Sequence, residues 1–191
     1  MIKIIDCGIG NYKTIASLLE SINRDFEIID EINEISYSDI YILPGIGSFD
    51  ALVKNLKKTS IYYKFKNCEN DKLRLIGICL GAQVLLDKSE EGTEFGLGLI
   101  SGEVKRFKDK KLNVGWNYNN KNIYNDIYNE RFYFVHGYYM VSKFCYLSSI
   151  FKNEKFCSVV KDKYKIGIQF HPERSGIDGM RFFDEMLKLC E

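Results

Sequence analysis

The 191-residue sequence contains only two prolines, two histidines and one tryptophan. Proline at ~5% would give about ten, so this is no proline-rich linker or polyproline ligand. Two histidines cannot build a histidine-rich metal cage. The six cysteines, at positions 7, 68, 79, 145, 157 and 190, are scattered without a CxxC pair, so no zinc pattern forms either. There is no P-loop, and Gly8-Ile9-Gly10 lacks the third glycine of a dinucleotide fingerprint. Neither a metal nor a nucleotide cofactor is expected. No apolar run approaches a membrane span, and MIKIIDCG lacks the apolar region and cleavage site of a secretory signal. The formal net charge of +1 offers no concentrated basic surface for nucleic acid or an acidic membrane. KNLKK at 54–58 reads as a solvated helix face. These absences leave a soluble cytoplasmic protein whose cysteines are expected as thiols.

What remains is ordinary globular material, with 46% hydrophobic and 28% charged residues, enough for one domain over 1–191. The first half alternates β-branched runs with helical spacing, which predicts βαβ units and a mainly parallel sheet. Strands are expected at 2–6, 26–30, 40–44 and 73–78, and helices at 11–22, 49–56 and 81–89. Beyond residue 95 the runs EVKRF, RFYFV, FCSVV and IGIQF predict shorter strands in a partly antiparallel region, with KDKYK as a hairpin turn. Met180, Phe183, Met186 and Leu187 place a last helix near the C-terminus.

The sharpest local feature is Gly77-Ile78-Cys79-Leu80-Gly81, between a strand and a helix. This is the pattern of a nucleophile elbow with cysteine in the serine position, where small neighbours let a strained turn close and expose the central side chain. A helix N-terminus there favours thiolate and oxyanion. A thiol nucleophile needs a base, and only His136 and His171 are available. His171 ends the apolar strand IGIQF, and Glu173, two residues on in extended chain, falls on the same side to orient the imidazole. Pro44-Gly45-Ile46-Gly47 ends another strand, where backbone N–H groups and that of Leu80 can form an oxyanion hole. Gln83 lies one helical turn beyond Cys79 and can face the same pocket. Taken singly, each residue also has a bland reading: a buried structural cysteine, a strand-end histidine, a solvated glutamate, an ordinary PG turn, an exposed helix glutamine.

In order along the chain, LPGIGSF, GICLGAQ and QFHPE resemble the triad family of class I glutamine amidotransferases. More narrowly, IDCGIGNYKTIASLL, LPGIGSF, GICLGAQVLL, SEEG, VGWN, YFVHGYY and QFHPERS together are similar to the glutaminase subunit of imidazole glycerol phosphate synthase, over nearly the whole chain. The resemblance implies a flavodoxin-like three-layer αβα fold with a mixed, mainly parallel central sheet. It implies that Cys79 attacks the side-chain amide of L-glutamine, that His171 moves protons and that Glu173 holds His171. Carried over by position, Gly45, Gln83, Glu91, Gly137 and Tyr138 bind glutamine, and Ile46, Gly47 and Leu80 form the oxyanion hole. His136 falls near the glutamine pocket as a positioning residue. Asn11, Trp116, Asn117, Tyr133 and Arg174 match positions near the interface with a TIM-barrel cyclase subunit, the heterodimer partner that takes the ammonia in histidine biosynthesis. The motif also implies a gated oxyanion hole and little glutaminase activity without the partner.

Two departures stand out. Leu112-Asn113 occupies the place of the family's usual Pro-His, and Gly137 that of a common serine or threonine. Both lie near substrate or interface and leave the triad intact. They keep open a paralogue that, with a cyclase-like partner, feeds ammonia to a sugar amidotransferase of surface polysaccharide synthesis. A stand-alone cysteine hydrolase and a non-catalytic binding module are the remaining classes.

Overall fold

The computed structural model describes residues 1–69, 71–119 and 130–191. In chain order it has β1 (Ile2–Ile5), α1 (Tyr12–Ser21), β2 (Phe26–Ile29), β3 (Ile40–Gly45), α2 (Phe49–Lys58), α3 (Ile61–Asn67) and β4 (Arg74–Cys79). Then follow α4 (Leu80–Val84), β5 (Lys88–Ser89), β6 (Glu103–Arg106), β7 (Asn113–Tyr118), β8 (Arg131–His136) and β9 (Tyr138–Val141). β10 (Cys145–Phe151), β11 (Glu154–Asp162), β12 (Lys165–Ile168) and α5 (Gly176–Cys190) complete it.

The main sheet runs β2-β1-β3-β4-β12-β11-β9-β6-β5, with β10 paired to β11. The segment from β2 to β12 is parallel, as the βαβ pattern predicts, and β12, β11, β9 and β6 are mutually antiparallel. The period of two along each strand sends alternate residues to opposite faces. Ile40 and Ile42 of β3 join a core with Ile15, Leu18 and Leu19 of α1 and Phe182, Phe183 and Met186 of α5. Tyr41 and Leu43 join the other core, with Leu52, Val53 and Leu56 of α2 and Phe65 of α3. Helices therefore cover both faces, giving the αβα layering. Each such side chain contributes about 1.5–3 kcal/mol on burial, so it is the apolar stripe that holds each helix on the sheet.

Three expectations are corrected. The helix over 81–89 stops at Val84. Leu85 and Leu86 tighten onto Ala82 and Gln83 in i to i+3 bonds, and Asp87 N–H turns to the Gly102 carbonyl, so the chain leaves helical pairing for β5 beside β6. α3, β7, β9 and β10 have no counterpart in the sequence reading. IYYKFKN mixes aromatic and charged residues without a clear period, and tertiary packing of Ile61, Tyr62 and Phe65 decides its state. Finally, the six cysteines are not all thiols: Cys145 and Cys157 form a disulfide, leaving Cys7, Cys68, Cys79 and Cys190 free. Adjacent antiparallel strands with a register shift in β10 bring the two Cα atoms to 5.3 Å, which spacing along the chain cannot reveal.

The KDKYK turn behaves as read, with Asp162 paired to Lys165 and Lys163 at φ 53°. Outside the main sheet, β7 and β8 form a two-stranded ribbon, and β8 continues into β9 after Gly137. The carboxyl ends of β3, β4 and β12 open on one side, where this class of sheet binds ligands.

Candidate active site

Cys79 is the last residue of β4 and sits at φ 53°, ψ −110°, a conformation that costs of order 1–3 kcal/mol for a non-glycine residue. The surrounding close packing holds it there. A Cβ on Gly77 would lie 2.7 Å from the Ala82 nitrogen, and one on Gly81 1.9 Å from the Leu43 carbonyl oxygen. Only glycines let β4 turn into α4 against β3.

His171 follows β12. Its backbone N–H donates to the Tyr133 carbonyl at 2.9 Å, and its Nδ1 lies 2.7 Å from Glu173 Oε1. The expected route to this contact is corrected: Pro172–Arg174 is a 3-10 turn instead of extended chain. Proline at its first position pre-sets the turn, which folds the glutamate back onto the ring. Burial pushes the His171 pKa down, but hydrogen bonds to Cys79 and Glu173 outweigh it and raise the value to about 10. An imidazolium beside a sulfur can stabilise thiolate and can donate a proton to a leaving amine.

A cavity of about 400 Å3 opens over these groups, lined by Ile46, Gly47, Cys79, Leu80, Gln83, Glu91, His136, Gly137, Tyr138, His171 and Arg174, with Leu112 and Val135. Nearly all the expected oxyanion and glutamine positions meet on it. Gly45 instead lines a small neighbouring cavity with Asn11, Pro44, His171 and Glu173. Glu91 accepts the Phe49 N–H at 2.8 Å, and burial raises its pKa.

The expected interface residues divide. Trp116 is 53% exposed on the ribbon and meets Tyr133 edge-on, with ring centroids 5.9 Å apart. Val114 and Tyr118 extend the same exposed apolar face. Asn117 alternates to the other face, where its Nδ2 donates to the Ile150 carbonyl at 2.9 Å. Arg174 borders the cavity and Asn11 precedes α1.

The two departures touch. A Cβ on Gly137 would lie 2.9 Å from Leu112 Cδ2, so leucine at 112 fills space that a side chain at 137 would need. Two residues not singled out from the sequence also matter. The Ser175 hydroxyl accepts the Tyr133 N–H at 3.0 Å and donates to the His171 carbonyl at 2.6 Å, while Gln169 Oε1 accepts from Gln83 Nε2 at 3.1 Å. Both flank the HPE triplet inside QFHPERS, and that adjacency was the available signal. Among the described residues, no group of three His, Cys, Asp or Glu is placed to hold a metal ion, and no helix is long and apolar enough to cross a membrane.

Comparison with known proteins agrees with the sheet. The sequence profile of glutamine amidotransferase class-I matches residues 3–188, and the chain belongs to that family. More particularly, it is 39% identical over 201 residues to imidazole glycerol phosphate synthase subunit HisH 2 of Methanococcus maripaludis, covering 98% of this chain and 99% of that one. It is 35% identical over 201 residues to the HisH 2 subunit of Pseudomonas aeruginosa, covering 99% and 100%. The fold superposes on a structure of PurLQS from Thermotoga maritima with a TM-score of 0.74 at 19% identity, over 100% of this chain and 98% of that one.

Proposed function

We propose that the chain, as one glutaminase domain over 1–191, hydrolyses L-glutamine to glutamate and passes the ammonia to a TIM-barrel cyclase subunit making imidazole glycerol phosphate in histidine biosynthesis. The carrying observation is the strained Cys79 beside a His171 hydrogen-bonded to Glu173, on the wall of a cavity of about 400 Å3. Family membership and relatives named HisH support the substrate and the pathway.

The Cys79 thiolate attacks the side-chain carbonyl carbon, and the carbonyl electrons move to oxygen, toward backbone N–H groups of Ile46, Gly47 and Leu80. The tetrahedral intermediate collapses, the C–N bond breaks and His171 gives its proton to the departing ammonia. Water then attacks the thioester, His171 takes the proton and glutamate leaves with Cys79 restored. Glu173 holds Nδ1 and so fixes which nitrogen works. Gln83, Glu91, Gly45, Gly137 and Tyr138 hold the substrate. The exposed face around Trp116 and Tyr133, with Arg174 and Asn11 nearby, takes the cyclase in a cytoplasmic heterodimer.

Cys79→Ala tests this in the presence of the cyclase and its ligand. Glutamine hydrolysis is expected to fall by a factor of at least about 10³. Subunit association stays intact, and free ammonia restores the cyclase reaction. Persistent hydrolysis removes Cys79 from the mechanism. The Leu112 and Gly137 departures favour one second reading, in which the same chemistry serves a sugar amidotransferase. Assaying both products with the co-purifying partner decides between them.

A further inference from the structure

His136 is buried, and its environment dictates where its proton sits. Its Nδ1 lies 2.8 Å from the Tyr138 carbonyl, which can only accept, so Nδ1 carries the hydrogen. The rings of Phe107, Phe134 and Phe156 surround it at centroid distances of 5.3 to 5.6 Å, and His171 is the charged group acting on it. Burial, opposed by the Tyr138 carbonyl and assisted by His171, lowers its pKa to about 4, so the ring is neutral at physiological pH. Nε2 is then a bare acceptor, and the Asn113 amide 3.0 Å away must present Nδ2 to it.

The same Tyr138 carbonyl accepts Gln83 Nε2 at 2.9 Å, and Gln169 Oε1 takes the second hydrogen of that amide at 3.1 Å. Flipping Gln83 would set its oxygen against the Tyr138 carbonyl, which can only accept. Both N–H groups are therefore spent inside the protein, and Oε1 is the atom left to the cavity that Gln83 lines. The Tyr138 carbonyl thus fixes the polarity of a ligand-facing group, and His136, held from its other side by Asn113, shares that carbonyl.

We infer that Asn113 is a positioning residue: its Nδ2 is the donor that meets the bare Nε2 of His136, and the ring it holds supports the Tyr138 carbonyl on which Gln83 is presented to the substrate as an acceptor for an N–H donor only. The inference rests on the cavity being a glutamine site. It accounts for asparagine where the family usually has histidine: Asn113 supplies the donor with no titratable group of its own.

The test uses the full chain with its cyclase partner and that partner's ligand bound, and has two readouts. Nitrogen-15 spectra of the imidazoles report the tautomer, the neutral ring of His136 being distinct from a doubly protonated His171. Mass spectrometry of the Cys79 peptide reports how much L-glutamine half-protects it from iodoacetamide. The wild type is expected to show His136 protonated at Nδ1 alone. Asn113→Asp is expected to place a proton on Nε2 and raise the half-protecting glutamine concentration roughly tenfold. The alkylation rate without glutamine stays unchanged, because the Cys79–His171–Glu173 contacts are untouched. If Asn113→Asp fails to fold, Asn113→Leu carries the same expectation for protection. A wild-type ring protonated at Nε2, or variants protected at the wild-type concentration, overturns the inference. Failure of glutamine to protect the wild type sinks the glutaminase reading instead, and the tautomer alone then decides the role of Asn113.

Discussion

The backbone N–H of His171 is held by the carbonyl of Tyr133 at 2.9 Å, so the candidate base is anchored to the ribbon as well as to its own strand. Ser175 closes the clasp with hydrogen bonds of 3.0 and 2.6 Å to Tyr133 N–H and the His171 carbonyl. Ser175→Ala leaves the Tyr133 N–H unmatched and takes one of two donors from the His171 carbonyl, which keeps the Arg174 N–H, a loss of about 1–3 kcal/mol. Urea unfolding is expected to show that loss, and steady-state kinetics with the partner a lower kcat at nearly constant KM. A change in KM alone would place Ser175 with substrate binding instead.

Glu173 holds Nδ1 of His171 at 2.7 Å. Glu173→Gln keeps the shape but offers an uncharged partner and a competing donor, so kcat for glutamine is expected to drop by roughly 10²–10⁴. Quenching of the exposed Trp116 gives an independent check that partner association is intact. Near-normal turnover would make the carboxylate dispensable.

Leu112 and Gly137 share one piece of space, with 2.9 Å between Leu112 Cδ2 and a Cβ built at 137. Leu112 is 65% exposed and ends in a mobile methyl, so Gly137→Ser is expected to cost under about 1 kcal/mol by turning the leucine outward. Its effect on glutamine KM should shrink when Leu112→Ala is added. Equal effects in both backgrounds in a double-mutant cycle would show the positions to be uncoupled.

The two histidines give opposite pH limbs. His136 has its pKa lowered to about 4 from 6.5, so the unfolded chain binds the extra proton and stability falls as pH drops from 6.5 toward 4. His171 is raised from 6.5 to about 10, so its contribution is complete below 6.5 and is lost as pH rises through about 10. Each slope approaches about 1.4 kcal/mol per pH unit. Urea midpoints across pH should therefore flatten on the acid side in His136→Phe and on the alkaline side in His171→Asn. Unchanged limbs would show that other groups set them.

The first four strands and the terminal helix were legible because parallel strands buried on both faces, such as β3, are nearly continuous apolar runs and α5 carries a clear stripe. The elbow was legible because its glycines are required by contacts with Ala82 and Leu43. α4 was overextended because its apolar run continues through Leu85 and Leu86 while the hydrogen bonds do not. The disulfide, the Ser175 bond to Tyr133 and the acceptor-only state of Gln83 depend on partners 12 to 86 positions away in the sequence, and the place of Ser175 and Gln169 beside the HPE triplet was the one local signal for the last two. Asn117 alternates away from Trp116, and its side chain donates to the Ile150 carbonyl of β10, a contact that position along the chain does not announce.

β8 runs into β9 through the single residue Gly137. The exposed aromatic end of the ribbon and the wall of the cavity are thus two stretches of one taut thread from Arg131 to Val141. A load applied at Tyr133 reaches Tyr138 through five peptide links, with no loop to absorb the slack. The proposed docking face and the wall of the cavity are therefore joined by one short covalent stretch.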